Sequence, residues 1–163
     1  MPVAGRPRRK AAAKDGALGV RERFIEQMGI VAQGDGVPRI AGRMMGLMIF
    51  DGHPYSFSEL ATELQVSRGS VSTNARVLER QGIIERTAIP GDRQDYFHLA
   101  ESPYEAILNG ALARSRRARE IIGRTVDALP ATGQSAPKRR LQDFGAFYST
   151  IIEALESATA GRD

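Results

Sequence analysis

The chain contains no cysteine, no tryptophan and only two histidines among its 163 residues. Without thiols there is no disulfide framework and no thiolate set for a structural zinc, which agrees with a reducing compartment. His53 and His98 have no cysteine or close carboxylate cluster at ligand spacing around them, so neither a metal nor a cofactor is expected. A Walker-type loop is missing, and Gly34-x-Gly36 lacks the third glycine and the preceding strand of a dinucleotide site. These absences argue against an enzyme and leave no catalytic residue to name. No apolar run reaches the roughly 18 residues needed to span a bilayer. Arg8-Arg9 leads into Lys10-Ala11-Ala12-Ala13-Lys14 rather than into an apolar export core, so the expected location is cytoplasmic.

What the sequence does contain is ordinary globular material, 42% hydrophobic and 26% charged, enough for one domain with a real core plus an appendage. The formal net charge is +4 and the pI near 9.8, which makes polyanions plausible partners. The excess is concentrated: Arg6, Arg8, Arg9, Lys10 and Lys14 precede any acid, leaving the rest of the chain near neutral. Residues 1–16 show no apolar periodicity and are read as a disordered basic arm, either a solvated leader or a segment lying along phosphates.

Helical periodicity begins near Leu18, with Val20, Phe24, Met28 and Val31 as the expected apolar stripe and Gly34-Asp35-Gly36 as the stop. Pro38 suits the first turn of a second helix whose stripe is Ile40, Met44, Leu47 and Met48. Within it, Gly42 and Gly46 would let another helix approach closely. Tyr55 to Phe57 reads as a short edge strand, and Ser58 as the cap of a short helix ending at Leu64. Ser67 then caps a helix from about Arg68 to Gln81, stopped by Gly82. Residues 83–88 and 96–99 have strand composition and are joined across Pro90-Gly91-Asp92-Arg93, a β-hairpin.

Short helix, tight turn, capped helix and hairpin in that order make a winged helix-turn-helix, a mainly α fold with a small β-hairpin wing. In the capped helix Val71, Ala75 and Leu78 point inward. Ser67, Arg68, Gly69, Ser70, Ser72, Thr73, Asn74 and Arg76 are assigned to the opposite face, where short or forked hydrogen-bonding groups suit base edges and phosphates of double-stranded DNA. Gly69 lets the backbone approach a phosphate near the helix N-terminus. At the hairpin tip Arg93 reaches toward a minor groove or phosphate, with Asp92 expected to orient it through an ion pair and Arg86 and Gln94 flanking it.

After Ser102-Pro103 a further apolar periodicity runs for more than twenty residues, and another follows the loop from Pro130 to Pro137. The chain is therefore divided into the arm 1–16, a winged domain 17–101 and long C-terminal dimerisation helices in 102–163. Ile107, Leu108, Ile122, Phe144, Tyr148, Ile151 and Leu155 are the expected dimer interface, too many apolar groups for a lone helical pair to leave exposed. Phe24, Tyr96, Tyr104, Phe144, Phe147 and Tyr148 are core aromatics or the lining of a ligand pocket.

The stretch Phe24 to Leu99 resembles the GbsR-like branch of the MarR-type regulators. The resemblance lies in Gly42-Arg43-Met44-Met45-Gly46-Leu47, Leu60-Ala61, Val66-Ser67-Arg68-Gly69-Ser70-Val71-Ser72, Leu78, Gly82-Ile83-Ile84 and Gly91-Asp92-Arg93, nearly half the chain. It implies a homodimeric transcriptional regulator with intertwined terminal helices, a roughly palindromic operator and an affinity often set by a small-molecule effector. Gln94 stands where wings of the family commonly carry a second basic residue. The rival reading is a winged-helix protein-interaction module without DNA contact, whose helix face would carry acids or large apolar groups instead.

Overall fold

The computed structural model describes residues 8–130 and 135–161, as six helices and a three-stranded sheet. These fall into two units, Met1–Glu101 and Ser102–Asp163. The N-terminal unit holds α1 (Arg8–Gly34), α2 (Arg39–Asp51), β1 (Tyr55–Ser56), α3 (Phe57–Leu64), α4 (Arg68–Arg80), β2 (Ile84–Ala88) and β3 (Asp95–Leu99).

The first helix starts well before the expected position near Leu18. Lys10-Ala11-Ala12-Ala13-Lys14 is a run of strong helix formers, and helical propensity extends the element where apolar periodicity gives no sign of it. The backbone from Arg8 is thus helical rather than a disordered arm, while residues 1–7, with Arg6, lie outside the described residues.

The buried stripe of α1 is also turned from the one expected. Ile25, Gly29 and Ala32 are buried, whereas Val20 and Val31 are about half exposed. The cause is the close crossing with α2. A Cβ on Gly42 would collide with Ala32 and lie 2.7 Å from the Met28 carbonyl oxygen, and one on Gly29 would lie 2.7 Å from Arg43 Cγ. Small residues on both helices bring the backbones together, so the seam follows the glycines rather than the largest side chains. Arg39 and Arg43 flank the seam, both paired with Glu26. The spacing of Gly42 and Gly46 is therefore a packing device, as the sequence suggests.

The core of this unit is formed by Met44, Leu47 and Met48 of α2, Leu60 and Leu64 of α3, Val71, Ala75 and Leu78 of α4, and Ile84 and Phe97 of the sheet. Strand order is β1-β3-β2, all antiparallel, with Tyr55 opposite Phe97 and Arg86 opposite Phe97 on the other side. The cap of α3 is Ser56, not Ser58. Ser56 Oγ accepts from Glu59 N–H while Glu59 accepts from Ser56 N–H, a reciprocal box that needs the acid three residues after the cap, and only Ser56 has one.

The C-terminal unit is an α-helical pair, α5 (Pro103–Ala128) and α6 (Ser135–Ala160). Residues 131–134 of the expected loop lie outside the described residues. Pro137 sits in the first turn of α6, where its missing N–H is harmless. Leu112, Ser115 and Ile122 of α5 and Ile152 of α6 are buried. Ile122, expected at a dimer interface, is instead enclosed within the pair, with Gly145 of α6 beside it: a Cβ there would stand in van der Waals contact, 3.4 Å from Ile122 Cγ2. Ile107 and Phe144 are exposed, and Leu108, Tyr148, Ile151 and Leu155 are half-buried.

Candidate nucleic-acid interface

The tight turn between α3 and α4 is made by Gln65, a non-glycine residue in the left-handed region at φ 54°, and its N–H returns to the carbonyls of Ala61 and Thr62. Ser67 Oγ then accepts from Ser70 N–H at 3.1 Å and starts α4, as its sequence position implies. Gly82, at φ 70°, lets the chain leave α4 for the sheet.

At about 100° per residue, Arg68, Gly69, Ser72, Thr73, Arg76 and Arg80 share one side of α4. Arg68, Gly69, Thr73, Arg76 and Arg80 are exposed, and Ser70 and Ser72 are half-buried. Among the described residues, Arg68, Arg76 and Arg80 have no ion-pair partner. Thr73 spends its hydroxyl on the Gly69 carbonyl at 3.0 Å.

Asn74 does not belong to this face. It is 6% exposed, its Nδ2 donates to the Ser70 carbonyl at 2.8 Å, and its Oδ1 is buried without a hydrogen-bond partner among the described residues. The helical period explains the placement: Asn74 lies about 40° from Leu78, on the inward side. Its amide is suited to a base edge, but its helical angle turns it toward the core.

The wing places Arg93 exposed in the turn between β2 and β3, where Gly91 adopts φ 87°. Among the described residues Asp92 forms no ion pair with the Arg93 guanidinium. Its carboxylate accepts from Tyr96 Oη at 2.7 Å and from Gln94 N–H at 3.0 Å, contacts that hold its carboxyl below the usual carboxylate range. An aspartate that caps the backbone two residues on is a turn organiser, and this satisfies Asp92 before Arg93 can compete. Arg93 is left without an ion pair among the described residues. The backbone of Gln94 serves that turn, and its side chain is exposed.

Arg86 is not a free flanking cation either. Its Nε donates to Glu79 Oε1 at 2.7 Å and a terminal nitrogen to Asp95 Oδ2 at 3.2 Å, while the guanidinium lies 5.3 Å from the Phe97 ring centroid and 6.0 Å from that of Phe57. Glu79, the single acid of α4, is thereby neutralised.

A second constellation, absent from the sequence expectations, borders an open groove of about 490 Å³ behind α3. Arg21 of α1 grips Asp51 at the end of α2 and reaches Glu63 of α3, and Tyr55 donates to Asp51. Partners 30 and 42 residues apart leave no local signal. His53 lies beside this groove with its ring 4.4 Å from that of Tyr55, and His98 contacts the Leu99 carbonyl. Among the described residues no group of three or more metal-ligating side chains comes together, and no helix is long and apolar enough to cross a membrane. The aromatics expected in the core or at a ligand site are distributed: Phe24 meets Phe50 at 5.9 Å, Tyr96 serves the wing turn, and Phe144, Phe147 and Tyr148 cluster on α6.

Comparison with known proteins agrees with this geometry. The family model described as MarR family matches residues 35–95, from the end of α1 to the start of β3. The HTH-type transcriptional regulator MmpR5 of Mycobacterium tuberculosis is 36% identical over 135 residues, covering 79% of this chain and 80% of that protein. A crystal structure of a transcriptional regulator, 34% identical, superposes with a TM-score of 0.62 over 86% of this chain and 95% of that one. With the capped α4, the three-stranded wing and a relative of this similarity over most of its length, the chain belongs to the MarR family of winged helix-turn-helix transcriptional regulators.

Proposed function

We propose that the chain is a homodimeric repressor that inserts α4 of each protomer into a major groove of a roughly palindromic operator, with the β2–β3 turn on the flanking backbone or minor groove. One observation carries this reading: the outward side of α4 holds three arginines without an ion pair among the described residues, set among short polar groups, while its one acid is already bound by Arg86. A face built for protein contact would not leave that much positive charge uncompensated. Arg68, Gly69, Ser70, Ser72, Thr73, Arg76 and the tip residue Arg93 are the contacts assigned to DNA, Ser67 being the cap that aims them.

In this reading residues 17–101 bind DNA and 102–163 dimerise. Exposure of Ile107, Ile121, Phe144 and Phe147 on the helical pair supports the second role. Gly42-Arg43-Met44-Met45-Gly46 supports placing the chain in the GbsR-like branch, and control of affinity by a small-molecule effector belongs to the same proposal, as does a cytoplasmic location.

Selection of binding sites from random duplex DNA, followed by footprinting, tests it. Two half-sites about 34 Å apart, one turn of DNA, are expected. Recovery of no preferred sequence by a folded protein sinks the operator reading and favours the interaction module.

A further inference from the structure

Arg86 joins the strand it stands on to α3, α4 and β3. It stands on β2, opposite Phe97 of β3, and its guanidinium lies over the edge-to-face pair of Phe57 and Phe97, whose ring centroids are 4.7 Å apart. Phe57 opens α3, Glu79 lies in the last turn of α4, and Asp95 begins β3 beside the wing turn. One side chain thus ties α3, α4 and both wing strands. Glu79 receives two of its nitrogens, Nε at 2.7 Å and a terminal nitrogen at 3.4 Å, and is only 24% exposed. The planar fork uses separate edges for the two acids, a division a lysine ammonium reproduces poorly.

We infer that Arg86 is a positioning residue that braces the wing against α4, and that Glu79, although an acid on a DNA-binding helix, strengthens DNA binding by holding Arg86 there. The inference rests on the DNA-binding reading above. Electrostatics alone demands the opposite of Glu79: removing a negative charge beside polyphosphate should tighten binding. A brace reverses that sign, because losing the acid lets the wing, and with it Arg93, drift from its place relative to α4.

The experiment compares the full-length protein with Glu79→Gln, Arg86→Met and the double variant. Affinity is measured on a duplex recovered by selection and on a random-sequence duplex, across a range of salt. Glu79→Gln, nearly isosteric, should weaken operator binding about three- to tenfold, Arg86→Met similarly, and the double variant no more than the weaker single one, since both remove one interaction. The salt slope of Arg86→Met should stay that of the unaltered protein, because a brace neutralises no phosphate. Hydrogen exchange of the amides of residues 84–99 should accelerate in all three variants, with α2 protection kept as the control for folding.

Unchanged or tighter operator binding by Glu79→Gln overturns the brace; a salt slope lowered by about one per protomer in Arg86→Met overturns it too, and makes Arg86 a phosphate contact. Should the unaltered protein select no DNA, the proposed function falls and this inference with it. If it does select DNA and only the variants behave otherwise than stated, this inference alone falls.

Discussion

Arg21 and Asp51, thirty residues apart, meet through two parallel hydrogen bonds, Nε to Oδ1 at 2.9 Å and a terminal nitrogen to Oδ2 at 2.7 Å. The pair is mostly buried, at 19% and 14% exposed, and it fastens α1 to the end of α2. Through Glu63 and Tyr55 the same guanidinium and carboxylate also secure α3 and β1. An ionic hub thus ties together α1, α2, β1 and α3, the scaffold that presents α4.

Asp51→Asn should lower stability by about 2 kcal/mol in urea denaturation, since charge-assisted bonds are lost and Arg21 remains poorly matched. The pH dependence is specific. Arg21, and then Tyr55, hold the Asp51 carboxyl below the usual carboxylate range. Its contribution is therefore complete above the unfolded carboxylate value and disappears as pH falls through the lowered folded value. Asp51→Asn should flatten that acid limb; an identical limb in the variant would contradict the hub. On the alkaline side burial, with Asp51, pushes the Tyr55 hydroxyl up to about 12, so stability present below pH 10 should decline as pH rises from there toward 12.

The α1–α2 crossing predicts opposite results for two glycines. Gly42→Ala forces a methyl against Ala32 and the Met28 carbonyl and should destabilise by about 1–3 kcal/mol. Gly69→Ala has Ser67 Oγ, at 3.9 Å, as its nearest neighbour. It should stabilise α4 by about 0.5–1 kcal/mol while weakening DNA binding, because the methyl would stand where the proposed interface brings a phosphate. Thermal melting and gel-shift titration read the two effects separately.

Asn74 and Arg93 should fail differently. Asn74→Ala loses the bond to the Ser70 carbonyl inside the fold, so the expected change is about 1 kcal/mol of stability with operator preference retained. Arg93→Ala should leave melting unchanged, weaken operator and random DNA by similar factors, and reduce the salt slope by about one per protomer. Arg93→Ala with normal affinity and slope would remove the wing from the interface.

On the helical pair the sensible disruptors are the exposed rings. Phe144 is 48% and Phe147 56% exposed, so replacing both by Asp should leave α5 and α6 paired yet yield monomers in sedimentation equilibrium. Ile122→Asp, by contrast, buries a carboxylate between the helices and should unfold the pair itself. An intact dimer after Phe144→Asp with Phe147→Asp would place the interface elsewhere.

The sequence by itself determined the features whose physics is local: the Ser67 cap, the Gly82 stop, the hairpin around Gly91 and the inward stripe of Val71, Ala75 and Leu78. Each depends on one backbone dihedral, one near-neighbour hydrogen bond or one helical period, all written within a few residues. The same period turns Asn74 inward, whatever its amide chemistry suits. What only the tertiary structure decided is which partner a charged or small residue finds across the chain. Periodicity on α1 could not reveal that Gly29 and Ala32, rather than Val20 and Val31, meet α2, because that choice depends on the glycines of the other helix. Nor could any spacing tell that Arg86 is held by Glu79 and Asp95 while Arg93 has no ion pair among the described residues: two arginines are alike in sequence, and their availability to phosphate is set by which carboxylates the fold brings within reach.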